Sequence, residues 1–348
     1  MLKLTYKPYF LRMRFPFRIA DNVRTGTPLM LVKIEYNGYN GYGEASMPPR
    51  YGEDIQTATD FLEKVDLSSF GCFPDIAPIL KYIDDIAPGN PAIKAALDIA
   101  LHDLRGQFLQ QPVHQLYGLP AATLITAQTI SIEAPVIMAQ RVKEAAAFRY
   151  LKIKLGTPDD RELIRAIRKE TDKPLYIDAN QAWKNPEEAV QLIEWLAKQN
   201  CVFIEQPMPK EDYEGMHWLK SRSPLPLIGD EGIQRLADLE TAHEYYHGIN
   251  VKLMKSTGIN EAYMMLTRAK ELGLKTMIGC MSETSCAIAA AAQLGSLAEY
   301  IDLDGNLGVT NDPFTGFTCE GDEIRVDKTF GIGLKQPLWD NITPLNNK

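Results

Sequence analysis

Eight short apolar runs recur at a nearly constant interval from residue 121 onward, and that rhythm limits the chain to very few folds. The runs AQTISI, LKIKLG, PLYIDAN, CVFIEQP, PLIGDEG, INVKLM, KTMIGC and YIDLDG are centred on Gln128, Ile153, Ile177, Phe203, Ile228, Val251, Met277 and Ile301. Successive centres lie 25, 24, 26, 25, 23, 26 and 24 residues apart. Helical patterns such as residues 159–171 and 186–199 lie between the runs, the second opening with Asn185 as N-cap and Pro186 in the first turn. Strand, helix, strand at this period predicts an α/β chain whose residues 121–315 close into a parallel (β/α)8 barrel. An open doubly wound sheet would carry a glycine-rich nucleotide turn, which these runs lack.

Residues 1–120 are patterned differently. Alternating runs at 27–36 and 40–45, separated by Asn37-Gly38, predict an antiparallel hairpin. Helices are expected near 54–65 and 91–106, the second with Ile93, Ala96, Leu97, Ala100, Leu101 and Leu104 on one face. The opening MLKLTYKPYFLRMRFPF is broken by Lys, Arg and Pro and reads as strand, not as a secretory leader. An α+β capping domain over 1–120 is therefore expected. Residues 316–348, strand-like at 316–319 and 323–326, form a C-terminal segment that returns to it.

Charge narrows the partners. With 37 Lys and Arg against 45 Asp and Glu, the net charge is −8, and the chain has no basic tract. Nucleic-acid and anionic-membrane partners are not expected. The richest apolar stretch, 286–298, is too short to span a bilayer. Five cysteines without a CxxC pair fit reduced thiols in a cytoplasmic protein. A homo-oligomer is compatible with the sequence but not fixed by it.

In such a barrel the active site lies at the C-terminal ends of the strands. Asp178, Glu205 and Asp230 end the third, fourth and fifth strands, giving an all-oxygen trio suited to Mg²⁺. Lys152 and Lys154 end the second strand and Lys252 ends the sixth. The second and sixth strands are four apart in a ring of eight, so Lys154 and Lys252 face each other across the mouth. A substrate carboxylate on the cation would hold its α-carbon between two amines, the layout for a 1,1-proton transfer through a metal-stabilised enolate. A lysine base works best with its pKa brought from about 10.4 toward ~7–8. Asp302 and Asp304 share one face of the eighth strand, and two unpaired carboxylates there call for a cation.

Together KIKLG, IDAN, FIEQP, GDEG and VKLMKSTGI, with GYGEA and GCMSET, resemble the enolase superfamily in its muconate-lactonizing subgroup, and within it the dipeptide epimerases. The resemblance covers nearly the whole chain. It implies Mg²⁺ on Asp178, Glu205 and Asp230, acid/base catalysis by Lys154 and Lys252, and supporting positions for Asn180 and Glu231. Lys152 would assist the substrate carboxylate, Asp302 and Asp304 would hold the α-ammonium of a dipeptide, and Thr129 would contact substrate. Side-chain specificity would come from capping loops at 21–27 and 47–52, which carry Arg24 and Arg50. Either arginine suits a bidentate pair with a glutamyl carboxylate; Arg24 is the favoured one, and with it L-Ala-D/L-Glu, a dipeptide of peptidoglycan turnover, is the expected substrate. N-acylamino acid racemase, muconate cycloisomerase and o-succinylbenzoate synthase are the alternatives; the D-x-D pair speaks against them because their substrates lack a free ammonium.

One motif points elsewhere. His243-Glu244-Tyr245-Tyr246-His247 matches the H-E-x-x-H of zinc proteases. Gly248 follows at once and a strand begins near Ile249, which places the motif on the bottom face of the barrel, away from the strand ends. A zinc peptidase, or a binding protein without catalysis, is the rival class.

Overall fold

The computed structural model describes residues 1–20, 22–316, 319–334, 336–337 and 339–342. Its N-terminal part is an antiparallel sheet of β1 (Lys3–Ile19), β2 (Asn22–Tyr36) and β3 (Tyr39–Ser46), in that order. Asn37 (φ 49°) and Gly38 (φ 84°) make the turn between β2 and β3, both left-handed as a two-residue hairpin of type I′ requires. Helices α1 (Ile55–Leu62), α2 (Ala77–Asp85) and α3 (Pro91–Leu109) follow. GYGEA lies in β3. A Cβ at Gly43 would fall 1.9 Å from the Ala96 carbonyl and one at Gly41 2.1 Å from that of Ala100, so these glycines let α3 seat on the sheet.

Eight parallel strands form the second part: Ala127–Ile130, Tyr150–Lys154, Leu175–Asp178, Cys201–Glu205, Leu227–Gly229, Gly248–Lys252, Lys275–Gly279 and Tyr300–Asp302. Seven helices alternate with them among the described residues, and after the eighth strand the chain leaves through a Gly-, Asn- and Pro-rich stretch. The expected Asn185 cap is present, its side chain accepting from the Glu188 amide. Ala127, Tyr176, Phe203, Ile228 and Met277 pack inside the barrel, with the Tyr176 and Phe203 rings 4.5 Å apart, so the interior is filled and the functional face is confined to the mouth. The first and eighth strands share no backbone ladder. Side chains join them instead: Thr126 Oγ1 accepts from the Leu303 amide at 2.8 Å, and Asp304 Oδ2 from the Thr129 amide at 2.6 Å.

Buried carboxylates dock the sheet-and-helix cap on the barrel. Asp98 of α3 accepts from the Ile259 amide at 2.6 Å, the start of the helix after the sixth strand. Glu44 of β3 accepts from the Thr284 amide at 2.9 Å, the N-cap of the helix after the seventh. The tail touches both parts. Glu323–Val326 pairs antiparallel with Ala122–Ile125 just before the first barrel strand, while Asp103 of α3 accepts from the Ile332 amide and Lys7 of β1 donates to the Trp339 carbonyl. Of the expected strand at 316–319, residues 317–318 lie outside the described residues, and Cys319–Glu320 is extended and paired with Glu323–Val326.

The structure differs from the sequence reading in two places. Helix α2 was not anticipated, because its apolar positions are few and Pro78 stands in its first turn. Residues 22–27 are not a loop: β1 and β2 run past the body of the sheet as a paired ribbon, with Phe17 opposite Arg24 across a register shift after Arg12. Asp21 lies outside the described residues. The ribbon overhangs the barrel mouth, lining the cavity on one side with much of it exposed to solvent, so it does not show the apolar alternation that marks a half-buried strand.

Candidate active site

Backbone register brings the acidic trio together. Lys154 pairs with Asp178 and Asp178 with Glu205 across adjacent strands, and Asp230 follows one residue after the fifth strand. All three carboxylates are buried, with one oxygen from each within 4.8 Å of the others. Asn180 (φ 43°) and Gln206 (φ 35°) take left-handed backbone just beyond Asp178 and Glu205, a cost that non-glycine residues carry mainly at functional positions.

Lysines surround the trio. Lys154 Nζ donates to Asp178 Oδ2 at 2.5 Å, and Lys252 Nζ to Asp230 Oδ2 at 2.7 Å. Lys152 Nζ donates to Asp302 Oδ2 at 2.6 Å and stands 2.7 Å from Glu205 Oε2, at an angle that leaves this oxygen without a directed hydrogen bond. Glu231 Oε2, Asn180 Oδ1 and Asp302 Oδ1 are likewise buried acceptors without a donor. A buried carboxylate oxygen with no donor is costly unless a cation meets it. The three hard oxygen donors, with spare acceptors beside them, fit a divalent metal such as Mg²⁺.

The charges shift one another. Burial opposes ionisation of Asp178, yet Lys154 and Lys152 hold it down at about 2. Glu205 is pushed up to about 7 by burial and by Asp178. Burial alone would lower Lys252, but the Asp230 carboxylate outweighs it and holds the ammonium well above its ordinary value. That is opposite to the lowering expected of a lysine base. The carboxylates that tie up its proton here are the ones a divalent cation would take.

A cavity of about 340 Å³ opens over these residues, and Thr129, Lys152, Lys154, Asn180, Asp230, Glu231, Lys252, Asp302, Asp304 and Arg24 all line it. Asp178 and Glu205 lie behind the wall, at 0% exposure. Asp304 accepts from the Thr129 amide, Thr129 Oγ1 and Gln128 Nε2, and burial together with Asp302 raises it to about 6. Asp302 is the member of the pair with a free oxygen. Arg24 reaches in from β2, stacks 5.3 Å from the Phe17 ring centroid, and donates to Ser282 Oγ at 3.0 Å. No carboxylate among the described residues is within ion-pair distance of it, and burial lowers it to about 10. Arg50 instead meets Glu231.

Sequence reasoning missed several residues here. Lys255 and Asn250 hold Asp230 and Glu205 from behind. Gln206 Oε1 accepts from the Asp230 and Gly232 amides, and Tyr51 lines the cavity with its phenol raised by burial and by Asp230. Gln206 lies inside FIEQP and Lys255 inside VKLMKSTGI, so both stood within motifs of the resemblance without being singled out. The zinc-protease pattern is dispersed: its helix ends at Tyr245, His243 is exposed, and His247 Nδ1 accepts from the Leu227 amide at the bottom of the barrel. Among the described residues, Asp178, Glu205 and Asp230 are the group able to hold a metal.

Residues 4–118 match the mandelate racemase / muconate lactonizing enzyme N-terminal domain, and residues 136–335 match the enolase C-terminal domain-like family. The chain belongs to the enolase superfamily. Within that superfamily it is 45% identical over 335 residues to the L-Ala-D/L-Glu epimerase of Bacteroides thetaiotaomicron, covering 96% of this chain and 88% of that one. It is 39% identical over 328 residues to the L-Ala-D/L-amino acid epimerase of Pedosphaera parvula, covering 92% and 94%. Among solved structures, the dipeptide epimerase of Enterococcus faecalis complexed with Mg and L-Leu-L-Tyr superposes with a TM-score of 0.90 at 33% identity, over 96% of this chain and 99% of that one. The substrate-liganded L-Ala-D/L-Glu epimerase of Bacillus subtilis gives a TM-score of 0.88 at 29% identity, over 95% and 98%. The two matched segments correspond to the sheet-and-helix cap and to the barrel of this chain.

Proposed function

We propose that this protein is a Mg²⁺-dependent dipeptide epimerase that inverts the α-carbon of the C-terminal residue, with L-Ala-D/L-Glu as preferred substrate. The carrying observation is the pair of lysines on the second and sixth strands, on either side of the buried acidic trio. Asp178, Glu205 and Asp230 would hold the cation, which as a Lewis acid stabilises the negative charge that develops as the α-proton leaves. Lys154 and Lys252 act from opposite faces: one takes the α-proton, the other returns a proton to the far side. Lys152 faces the substrate carboxylate. Asp302 takes the α-ammonium on its free oxygen, with Asp304 held beside it by Thr129. Asn180 and Glu231 border the metal-site carboxylates, Glu231 being held by Asn180 Nδ2 and Arg50. Arg24, half-buried and without a carboxylate partner among the described residues, receives the glutamyl side chain. The ribbon carrying it, and Phe17 at 5.9 Å from Lys154 Nζ, shield the reacting centre from water.

The relatives' activities support this reading, as does the charge logic of Asp302. No described helix is long and apolar enough to cross a membrane, and a cytoplasmic role in peptidoglycan peptide turnover is part of the proposal. Proton NMR of L-Ala-L-Glu with enzyme and Mg²⁺ in D₂O is the test. Loss of the glutamyl α-proton signal with appearance of L-Ala-D-Glu is the expected result; no exchange with this or any of a panel of dipeptides overturns the assignment.

A further inference from the structure

Lys255 is absent from the cavity wall and unused by the reaction above, yet it is a charged side chain only 2% exposed. Its Nζ donates to Asp230 Oδ1 at 2.6 Å, the Asp230 carbonyl at 2.6 Å, the Ile233 carbonyl at 2.9 Å and the Asn250 carbonyl at 3.0 Å. An ammonium has three N–H donors, so four acceptors leave none for a substrate. A charge this deep persists only when it is paired and bonded, and the pairing falls on one carboxylate.

That carboxylate is shared by two lysines. Lys252 holds Asp230 Oδ2 at 2.7 Å and Lys255 holds Oδ1 at 2.6 Å. Both belong to one tight turn: the Lys255 and Ser256 amides donate to the Lys252 carbonyl at 2.9 and 3.1 Å, and the chain reverses through Thr257 (φ 55°) and Gly258 (φ 115°). Lys252 lines the cavity and Lys255 does not, so Oδ2 is the cavity-side oxygen and Oδ1 the inner one. The same strand treats Glu205 similarly, Asn250 Nδ2 donating to Oε1 at 2.9 Å from behind.

We infer that Lys255 is a positioning residue for the metal site: it pins Asp230 Oδ1 and the Asp230 carbonyl, and so presents Oδ2 to the cation. The inference rests on Asp230 being a metal ligand. Without the pin the carboxylate is free to rotate, and Lys252 can claim both of its oxygens. Loss of Lys255 therefore weakens cation binding and ties down the lysine that must exchange a proton. Partners one layer behind a metal ligand commonly set affinity by 10- to 100-fold.

The test is titration of Mn²⁺, followed by electron paramagnetic resonance, into metal-free full-length wild type, Lys255→Met and Lys255→Gln. Wild type binds; Lys255→Met is expected to bind about 10- to 100-fold more weakly. Its epimerase activity should recover as Mg²⁺ is raised, with the KM for dipeptide at saturating Mg²⁺ unchanged. A purely structural role would lower the melting temperature and leave Mn²⁺ affinity alone. A folded variant with wild-type affinity overturns the inference, and if Lys255→Met does not fold, Lys255→Gln is judged by the same criterion. Wild type that binds no Mn²⁺ overturns the metal reading itself.

Discussion

Arg24 of the cap donates to Ser282 Oγ on the loop after the seventh barrel strand, 3.0 Å away, while Ser46 Oγ donates to the Ser282 carbonyl at 2.8 Å. One serine thus fixes the guanidinium over the cavity and ties its loop to the cap. Replacing Arg24 with Ala is expected to lower kcat/KM for L-Ala-L-Glu about 30-fold or more, since it removes one partner of a desolvated charge pair. Turnover of L-Ala-L-Leu should change little. Steady-state kinetics on both dipeptides decide it; an unchanged preference for Glu removes Arg24 from the recognition of the side chain.

Each of the two lysines should serve one face. Lys154→Ala and Lys252→Ala are both expected to lose epimerisation by about 10²- to 10⁴-fold. Each should still exchange the α-proton of one epimer of L-Ala-Glu with D₂O, and the two variants should prefer opposite epimers. Exchange of both epimers by either variant, followed by proton NMR, contradicts the two-base scheme.

Removing metal should cost stability as well as activity. A ligand bound only by the folded state adds RT ln(1 + [L]/Kd), about 2.7 kcal/mol at a hundred times Kd. Calorimetry is expected to show a melting temperature higher by a few degrees with saturating Mg²⁺ than with chelator. Asp178→Asn should abolish the difference.

Away from the metal site, burial and the nearby Glu283 raise Glu44 from 4.5 to about 8. A carboxyl raised in the folded state keeps a proton that the unfolded chain gives up. Its stabilisation is therefore full below pH 4.5 and is lost as pH rises toward 8. Urea unfolding across that window should show falling stability in wild type, and a flatter profile in Glu44→Gln, whose neutral amide still accepts from the Thr284 amide. Parallel profiles would show that Glu44 is ionised in the folded protein.

The barrel and its acidic trio were legible because both depend on strand period: a residue that ends a parallel strand is at the mouth wherever its strand stands in the ring. Lys154 and Lys252 followed from counting strands. Lys255 did not, because a lysine three places beyond a strand end reads as solvated until the turn through Thr257 and Gly258 folds it inward. Arg24 was located as a residue and misplaced as an element, since a ribbon over a cavity has polar contacts on one side and solvent on the other. Spacing put Asp302 and Asp304 on one face but gave no sign that Asp304 already bonds Thr129 across the seam.

Asp98 and Glu44 reach from the cap into the starts of two barrel helices, supplying acceptors that those helices lack within themselves. Pulling cap from barrel would at once leave the Ile259 and Thr284 amides without these acceptors and strip Glu44 of the Thr284 groups that bond it, while Asp98 would keep only His102 of its own helix. Cap and barrel are thus coupled through these buried contacts, and a barrel expressed alone would lose the roof of its reaction chamber and the plugs of two of its own helices together.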